Sequence, residues 1–497
     1  MMHFLGKGLG SKISTILAIA IWVMSMFFVY KKNYATTKPA DFLETRSFKT
    51  ITGEIQNWMT VTMNNTKIGY NMQSLTNTPL GYLMKEYSLI RIPLGGTQRE
   101  IYVDSYSVLN PDFSLKTLTF GLVSGDYTTD IYGEVSGEKL HIKIKSQNSE
   151  SSASFDAHKG IYLPGAVPII TSSQGFPTGE FSLPTFDPLS MATSDIQITV
   201  GAKEETQTEL GKLSGHRLTL NLSGIESHMW VDDKGQILRE EDAGGMLMSA
   251  AAKESALDMP GIESKSNDDI LNSLAVHCQG KISDPRNAQY LKVRIDGIDP
   301  ALFDLKDDFQ TVISTNPLIL EIHPGKIDSS ALTDSQKFLK AEPFLQTDDP
   351  AIIQTANKIV GNEINANSKA VKIENWVFNN VEKDYTVSLP SAIDVLKVRK
   401  GDCNEHTALY TALARAAGLP TKMCIGIVYK DGLFYYHAWP AVYLGGWTPI
   451  DPTFGQKIAD ATHIKLLEGG LQRQADLMKA VGKISVTVIE DSSSKRL

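Results

Sequence analysis

Cysteine is scarce in this chain. Three among 497 residues leave an odd thiol in any pairing, so a disulfide framework is not what holds the protein together. The scarcity does not by itself define a redox compartment. An excess of one charge sign is also missing. Lys and Arg number 48 against 56 Asp and Glu, a formal net charge of -8 with no basic patch. Nucleic acid is therefore not an expected partner. No fixed-period repeat recurs along the chain, which removes solenoid and propeller architectures. What is present is ample apolar material: 42% hydrophobic residues at this length suffice for two domains with sizeable cores.

One long apolar run stands at the N-terminus. Ile13 to Tyr30, ISTILAIAIWVMSMFFVY, holds 18 consecutive residues without a charge, just enough to span a hydrocarbon core. It ends in Phe27, Phe28 and Tyr30 with no small-residue cleavage site after it, so an uncleaved signal anchor is expected over 13–30. Lysines flank both sides (Lys7 and Lys12, then Lys31, Lys32 and Lys38), and the positive-inside rule gives no orientation. A short anchor ahead of a large soluble body is expected to export that body.

Residues 48–324 read as a β-rich domain. Short or alternating apolar runs such as KIGYNMQSL, REIYVDSYSVL, KLHIKIKS and HRLTLNLSG are separated by Gly, Asn, Asp and Pro turns. HMWVDDKGQILREED reads as a hairpin around Asp233-Lys234-Gly235. No titratable cluster in this half suggests chemistry of its own. It is expected to serve as a packing partner, or as a platform for a peptide, polymer or lipid. Residues 325–350 read as a linker and 351–490 as a second domain.

That second domain carries the chemistry. In GDCNEHTALYTALARAAGLPTK, Asp402 can cap a helix and Glu405 completes a capping-box pair. Ala408, Leu409, Ala412, Leu413 and Ala416 recur at helical spacing, and Gly418 and Pro420 stop the helix. Cys403 thus falls at about the first helical residue. Unpaired N–H groups and the macrodipole there predict a thiol that ionises more easily than a free one. The same N–H groups could form half of an oxyanion hole. CIGIVY, the turn Asp431-Gly432 and LFYYHAW predict a hairpin that carries His437. Trp447 to Ile450 predicts a further strand ending at Asp451-Pro452. Paired strands would set His437 beside Asp451, the arrangement in which a carboxylate orients a general base.

These segments resemble the transglutaminase-like (papain-related) superfamily in its bacterial, membrane-anchored form, over about Ala351 to Leu467. The resemblance rests on the Gly-x-Cys helix start, the His-Ala-Trp strand and the Asp-Pro strand end. It implies Cys403 as nucleophile, His437 as general base and Asp451 as orienting acid. Members commonly carry an acidic residue where Ala441 stands, a departure that bears on substrate contact or packing. Tyr385 or Trp376 could supply a second oxyanion donor, with Tyr385 the preferred choice and Trp376 placed in an apolar helix stripe with Ile373 and Val377. Trp439 is expected beside His437, shielding it from water, and His463 as a structural hydrogen-bonding residue. A zinc set of Cys403, His406, Cys424 and His437 has suitable ligand types, but Cys424 lies inside an apolar strand, so no metal or other cofactor is expected. The calcium-site architecture of the animal cross-linking enzymes is not recognisable.

The expected fold class is α+β: an N-terminal transmembrane helix, an antiparallel β-rich domain, then a papain-like, transglutaminase-like α+β domain. The expected function is thioester chemistry on protein or peptide amides, leaning to hydrolysis. The alternatives are a protein cross-linking acyltransferase and a non-catalytic envelope scaffold. Expected partners are a protein or peptide substrate, the membrane through the N-terminal helix, and a possible partner on the β-rich domain. The expected location is the bacterial inner membrane, with the soluble domains outside the cytoplasm.

Overall fold

The structure, a computed structural model, describes residues 50–492 except 52, 95, 159, 223, 243–244, 260–273, 326–331, 333, 386 and 390. It corrects the α+β expectation. The protein is mostly β, with 50% strand and 19% helix. Fourteen strands join in one antiparallel sheet, whereas the three longest helices among the described residues are confined to Pro350–Val360, Ala366–Asn380 and Cys403–Ala416. Among the described residues no helix is long and apolar enough to cross a membrane. The anchor expected at residues 13–30 lies outside the described residues. The transmembrane part of the expected fold class is therefore unsupported.

The large sheet consists of two meanders. Strands from Glu54–Met63 to Glu150–Asp156 form the first, and strands from Gly179–Asp187 to Met246–Ala250 the second. They join where Met59 to Met63 pair with Ala250 to Met246. Local sequence accounts for the strands. In Lys139–Ser146, Leu140, Ile142 and Ile144 are buried while Lys139, His141, Lys143 and Lys145 are exposed, the two-residue period of a half-buried strand. Asn64 and Asn65 take positive φ angles of 50° and 63°, the two-residue hairpin conformation that asparagine tolerates, and Met63 pairs directly with Thr66. Buried faces of both meanders pack around the short helix Val167–Ser173. Met59, Leu75, Met84 and Ile131 of the first share one core with Ile198, Leu218 and Ile237 of the second and with Val167, Ile169 and Ile170.

A second sheet of five strands runs in the order Cys278–Gln279, Ser485–Asp491, Leu291–Asp296, Leu318–Ile322, Gln310–Thr315. Its second strand comes from beyond residue 480. Everything from Ser335 to Lys479 is therefore inserted between strands of one sheet. That insertion sets the helices Pro350–Val360, Ala366–Asn380, Ala392–Val398 and Cys403–Ala416 against a four-stranded sheet. The sheet order is Trp447–Pro449, Leu433–Tyr443, Thr421–Lys430, Ile464–Glu468. The helix Cys403–Ala416 is buried from Glu405 to Arg415 and lies between the other helices and the sheet.

The large sheet grips the segment that leads into this helix. Leu389 is part of the large sheet's core, with Val387 packed against it. Conversely, Tyr127, the first residue of the strand Tyr127–Ser136, sits in the helical core, and its hydroxyl donates to the Lys400 carbonyl at 2.5 Å. The Asn148 N–H donates to Asp394 Oδ1 at 3.1 Å, and Ser149 and Ser391 exchange a hydroxyl hydrogen bond at 3.1 Å. Arg99 pairs with Asp384. Three hairpin ends thus hold Asp384, Ser391, Asp394 and Lys400.

If Tyr127 is this anchor, Tyr127→Phe loses one hydrogen bond and lowers the unfolding free energy by about 1 kcal/mol. Tyr127→Ala also empties the ring's site and costs about 3–5 kcal/mol. Urea unfolding of the two variants would show this separation; equal, small losses would mean that the ring is not packed between the domains.

Candidate active site

Cys403 is the first residue of its helix. Asp402 is the N-cap, its side chain accepting from Asn404 N–H at 2.8 Å, and the Glu405 carboxylate returns a bond to Asp402 N–H at 2.8 Å. The capping box engages the N–H groups of Asn404 and Glu405 and not that of Cys403. Ser388, on the segment clamped by the large sheet, donates to the other Glu405 oxygen at 2.5 Å. Glycine is required at 401: its φ is +151°, and a Cβ there would lie 2.3 Å from that of Glu405.

The thiol is half-buried, and its helix packs on the histidine strand Leu433–Tyr443. The expected easy ionisation is reversed. Burial pushes the thiol well above its ordinary range, and the carboxylates of Asp402, Glu405 and Asp451 push the same way. The Ala438 N–H opposes them only in part. The cap that makes the helix start thus also sets a negative charge beside the sulfur.

His437 lies within Leu433–Tyr443, which pairs with Thr421–Lys430 across the two-residue turn Asp431-Gly432. Its Nε2 is 2.8 Å from Asp451 Oδ2, which leaves Nδ1 as the nitrogen turned away from the carboxylate. The imidazole is stacked against Phe454, with centroids 5.0 Å apart and planes 12° apart, and lies 6.0 Å from the fully buried Trp439. Asp451 follows the strand Trp447–Pro449. Its Oδ1 accepts from Thr453 and Phe454 N–H at 2.7 and 3.1 Å, so Oδ2 is directed at the imidazole. Burial alone would favour the neutral acid, but the charge and hydrogen bond of His437, with those of His463, hold this carboxyl well below the usual carboxylate range.

His463 is the residue that sequence reasoning underplaced. Its Nε2 is 3.0 Å from the same Asp451 Oδ2, and its Nδ1 is 3.0 Å from the Asp460 carbonyl. Burial would lower its proton affinity, yet Asp451 and Asp460 raise its pKa to about 9. Glu374 was also passed over, since it interrupts the apolar stripe of Ile373 and Val377. It is buried with no hydrogen-bond partner on either oxygen among the described residues, and burial lifts it to about 7.

The other nominated residues sit further out. Tyr385 is 39% exposed, one residue after the Asp384 that pairs with Arg99. Trp376 is packed at the edge of the helical core with the Arg399 guanidinium 4.4 Å over its ring. Cys424 is buried with Trp439 and Phe309, and His406 Nδ1 is 2.7 Å from the Asp402 carbonyl. Among the described residues, the metal-ligand types that do converge are His437, Asp451 and His463, with donor atoms within 4.8 Å of one another. Their contacts use one carboxylate oxygen at hydrogen-bond lengths, and its partner oxygen is held by backbone.

A histidine oriented by a carboxylate, beside a cysteine at a helix start, is the equipment of thiol acyl chemistry. Residues 353–452, which contain all three groups, match the family model of the transglutaminase-like superfamily. The chain carries a transglutaminase-like domain. Members of this superfamily are typically cysteine peptidases or acyltransferases.

An uncharacterized protein of Haemophilus influenzae is 31% identical over 178 residues, covering 30% of this chain and 46% of that protein. The mouse kyphoscoliosis peptidase is 33% identical over 95 residues, covering 17% of this chain and 14% of that protein. The chain thus spans less than half the length of the curated relatives it matches. Among solved structures, a candidate cysteine protease of Cytophaga hutchinsonii aligns with 40% of this chain and 86% of its own at 19% identity, with a TM-score of 0.28. A β-barrel-like protein of Brucella abortus aligns with 41% and 97% at 10% identity and 0.33. Scores at this level do not establish a shared overall fold.

The transglutaminase-like domain carries its own pH signature. The folded-state pKa of His463 lies above its ordinary 6.5, so its contribution is complete below pH 6.5 and is lost as pH rises through about 9. The shift corresponds to roughly 3 kcal/mol. Unfolding free energies measured between pH 6 and 10 are expected to show this decline in the parent chain and not in His463→Gln. Parallel curves would mean that His463 carries no such charge.

Proposed function

We propose that the protein is a thiol hydrolase acting on amide bonds of proteins or peptides, with Cys403 as nucleophile, His437 as general base and Asp451 as its orienter. The observation that carries this reading is the buried carboxylate of Asp451 2.8 Å from His437 Nε2, on the strand Leu433–Tyr443 that packs against the helix opened by Cys403.

The thiol rests in its neutral form, because burial and three carboxylates disfavour the thiolate. His437 Nδ1 takes the thiol proton as sulfur attacks the amide carbonyl. The C–N bond then breaks, the proton passes from His437 to the departing amine, and a thioester remains on Cys403. The tetrahedral oxyanion lies against the Cys403 backbone N–H. Water, deprotonated by His437, adds to the thioester and frees the acid and the thiol. Phe454 and Trp439 enclose the imidazole so that it keeps one orientation through these steps.

Dependence on the base is the first test. His437→Ala should cut amide turnover by about 10²–10⁴-fold. It should also reduce Cys403 labelling by a low concentration of iodoacetamide to the rate of a free thiol. Equal labelling in both proteins would refute an activated nucleophile. The acceptor is tested by incubating a glutamine-containing protein with a labelled primary amine. Peptide-bond cleavage without amine uptake is expected, whereas ammonia release with amine incorporation would make the enzyme a cross-linking transferase instead.

A further inference from the structure

Asp451 Oδ2 is shared. His437 Nε2 and His463 Nε2 approach it at 2.8 and 3.0 Å, with the two ring centroids 5.6 Å apart. A carboxylate oxygen only accepts, so both Nε2 atoms must carry protons. For His437 this fixes the tautomer with Nδ1 unprotonated, the one able to take a proton from the thiol. For His463 it has a stronger consequence. Its Nδ1 faces the Asp460 carbonyl oxygen at 3.0 Å, and Asp460 Oδ1 lies at 3.4 Å. Both of these also only accept. With acceptors at each ring nitrogen, His463 has to be a donor at both, which only the imidazolium can be.

Its surroundings are built to hold that charge. Asp460 is almost fully buried, and its Oδ2 pairs with Arg286 at 3.0 Å. Arg286 belongs to the turn Pro285–Asn287 between the second-sheet strands Cys278–Gln279 and Leu291–Asp296, well outside the residues of the transglutaminase-like match, and its guanidinium also lies 4.6 Å over the Phe454 ring that stacks on His437. The row Arg286, Asp460, His463, Asp451, His437 alternates in sign up to the imidazole that titrates.

We propose that His463 is a positioning residue, a fixed imidazolium that shares Asp451 with His437, locks the tautomer of the base and sets the pH at which the Cys403–His437 pair becomes reactive. The proposal rests on the reading of Cys403 and His437 given above. The other titratable groups facing this pair are Asp402, Glu405 and His406 from the nucleophile helix and Glu374 from the neighbouring helix. A fixed cation beside a titrating pair makes it release its proton at lower pH, and losing that cation moves the release upward.

The test is the pH profile of Cys403 alkylation by iodoacetamide in the full chain. His463→Gln keeps a neutral donor near the position of Nε2 and removes the charge. It should move the acid limb of the profile upward by about one pH unit. A purely structural role predicts an altered amplitude with the limb unmoved. A superimposable or downward-shifted limb overturns the proposal. If labelling depends on His437 and the His463→Gln limb does not move, this inference fails while the proposed function stands. A second measurement does not depend on that variant. In His437→Ala protein with ring-¹⁵N histidine, one imidazole among the nine left of ten should stay doubly protonated at pH 8. If all nine are neutral there, His463 is not an imidazolium, whatever the alkylation shows.

Discussion

The buried carboxylate of Asp451 is the interaction on which the site is built. An ionised carboxylate with no solvent exposure is tolerated only when its lone pairs are engaged by donors. Here two backbone N–H groups of the following turn hold one oxygen and two imidazoles hold the other. The turn makes the carboxylate rigid with respect to its own strand end. The imidazoles then make two more elements rigid with respect to the carboxylate. Strand Leu433–Tyr443 and the approach to Ile464–Glu468 are thereby tied to one atom, and the helix opened by Cys403 packs against the first of them.

A second constraint acts from outside the catalytic unit. Glu405 completes the helix cap with one oxygen and receives Ser388 with the other, while Leu389 is buried in the core of the large sheet. The cap of the nucleophile helix is therefore connected to the β-rich half through one short segment. This gives that half a physical role beyond spacing: it fixes the approach to Cys403. Both supports, Arg286 and Asp460 behind the histidines and Ser388 behind the cap, involve packing between units that are separate in sequence.

That separation explains what the sequence displays and what it conceals. Helix start, capping box and the Asp431-Gly432 hairpin depend on residues within a few positions of one another, so Asp402, Cys403 and Glu405 are readable as a local pattern. The proton affinity of Cys403 is not local. A helix N-terminus favours a thiolate, but burial under the strand and the charges of Asp402, Glu405 and Asp451 outweigh it, and only the assembled fold shows their closeness. Glu374 is hidden for the same reason, within an apolar helix stripe, and so is the charge of His463, which the sequence shows only as a hydrogen-bonding residue. The mostly β balance follows from the length and number of strands in the first half, which a reading centred on the catalytic helices underweights.

The insertion of the catalytic unit into the five-stranded sheet bears on the order in which the molecule can be built. Strand Ser485–Asp491 lies between Cys278–Gln279 and Leu291–Asp296, its partners some two hundred residues earlier. Bringing such distant segments together costs chain entropy that is recovered only once the intervening unit is compact. During synthesis, Cys403, His437 and Asp451 are all made before the strand that completes the sheet beneath Ile425, Ile427 and Phe434, residues that share its core. The nascent chain therefore exposes that apolar face until Ser485–Asp491 has been made, and maturation of the thiol site waits on a strand synthesised after its own residues.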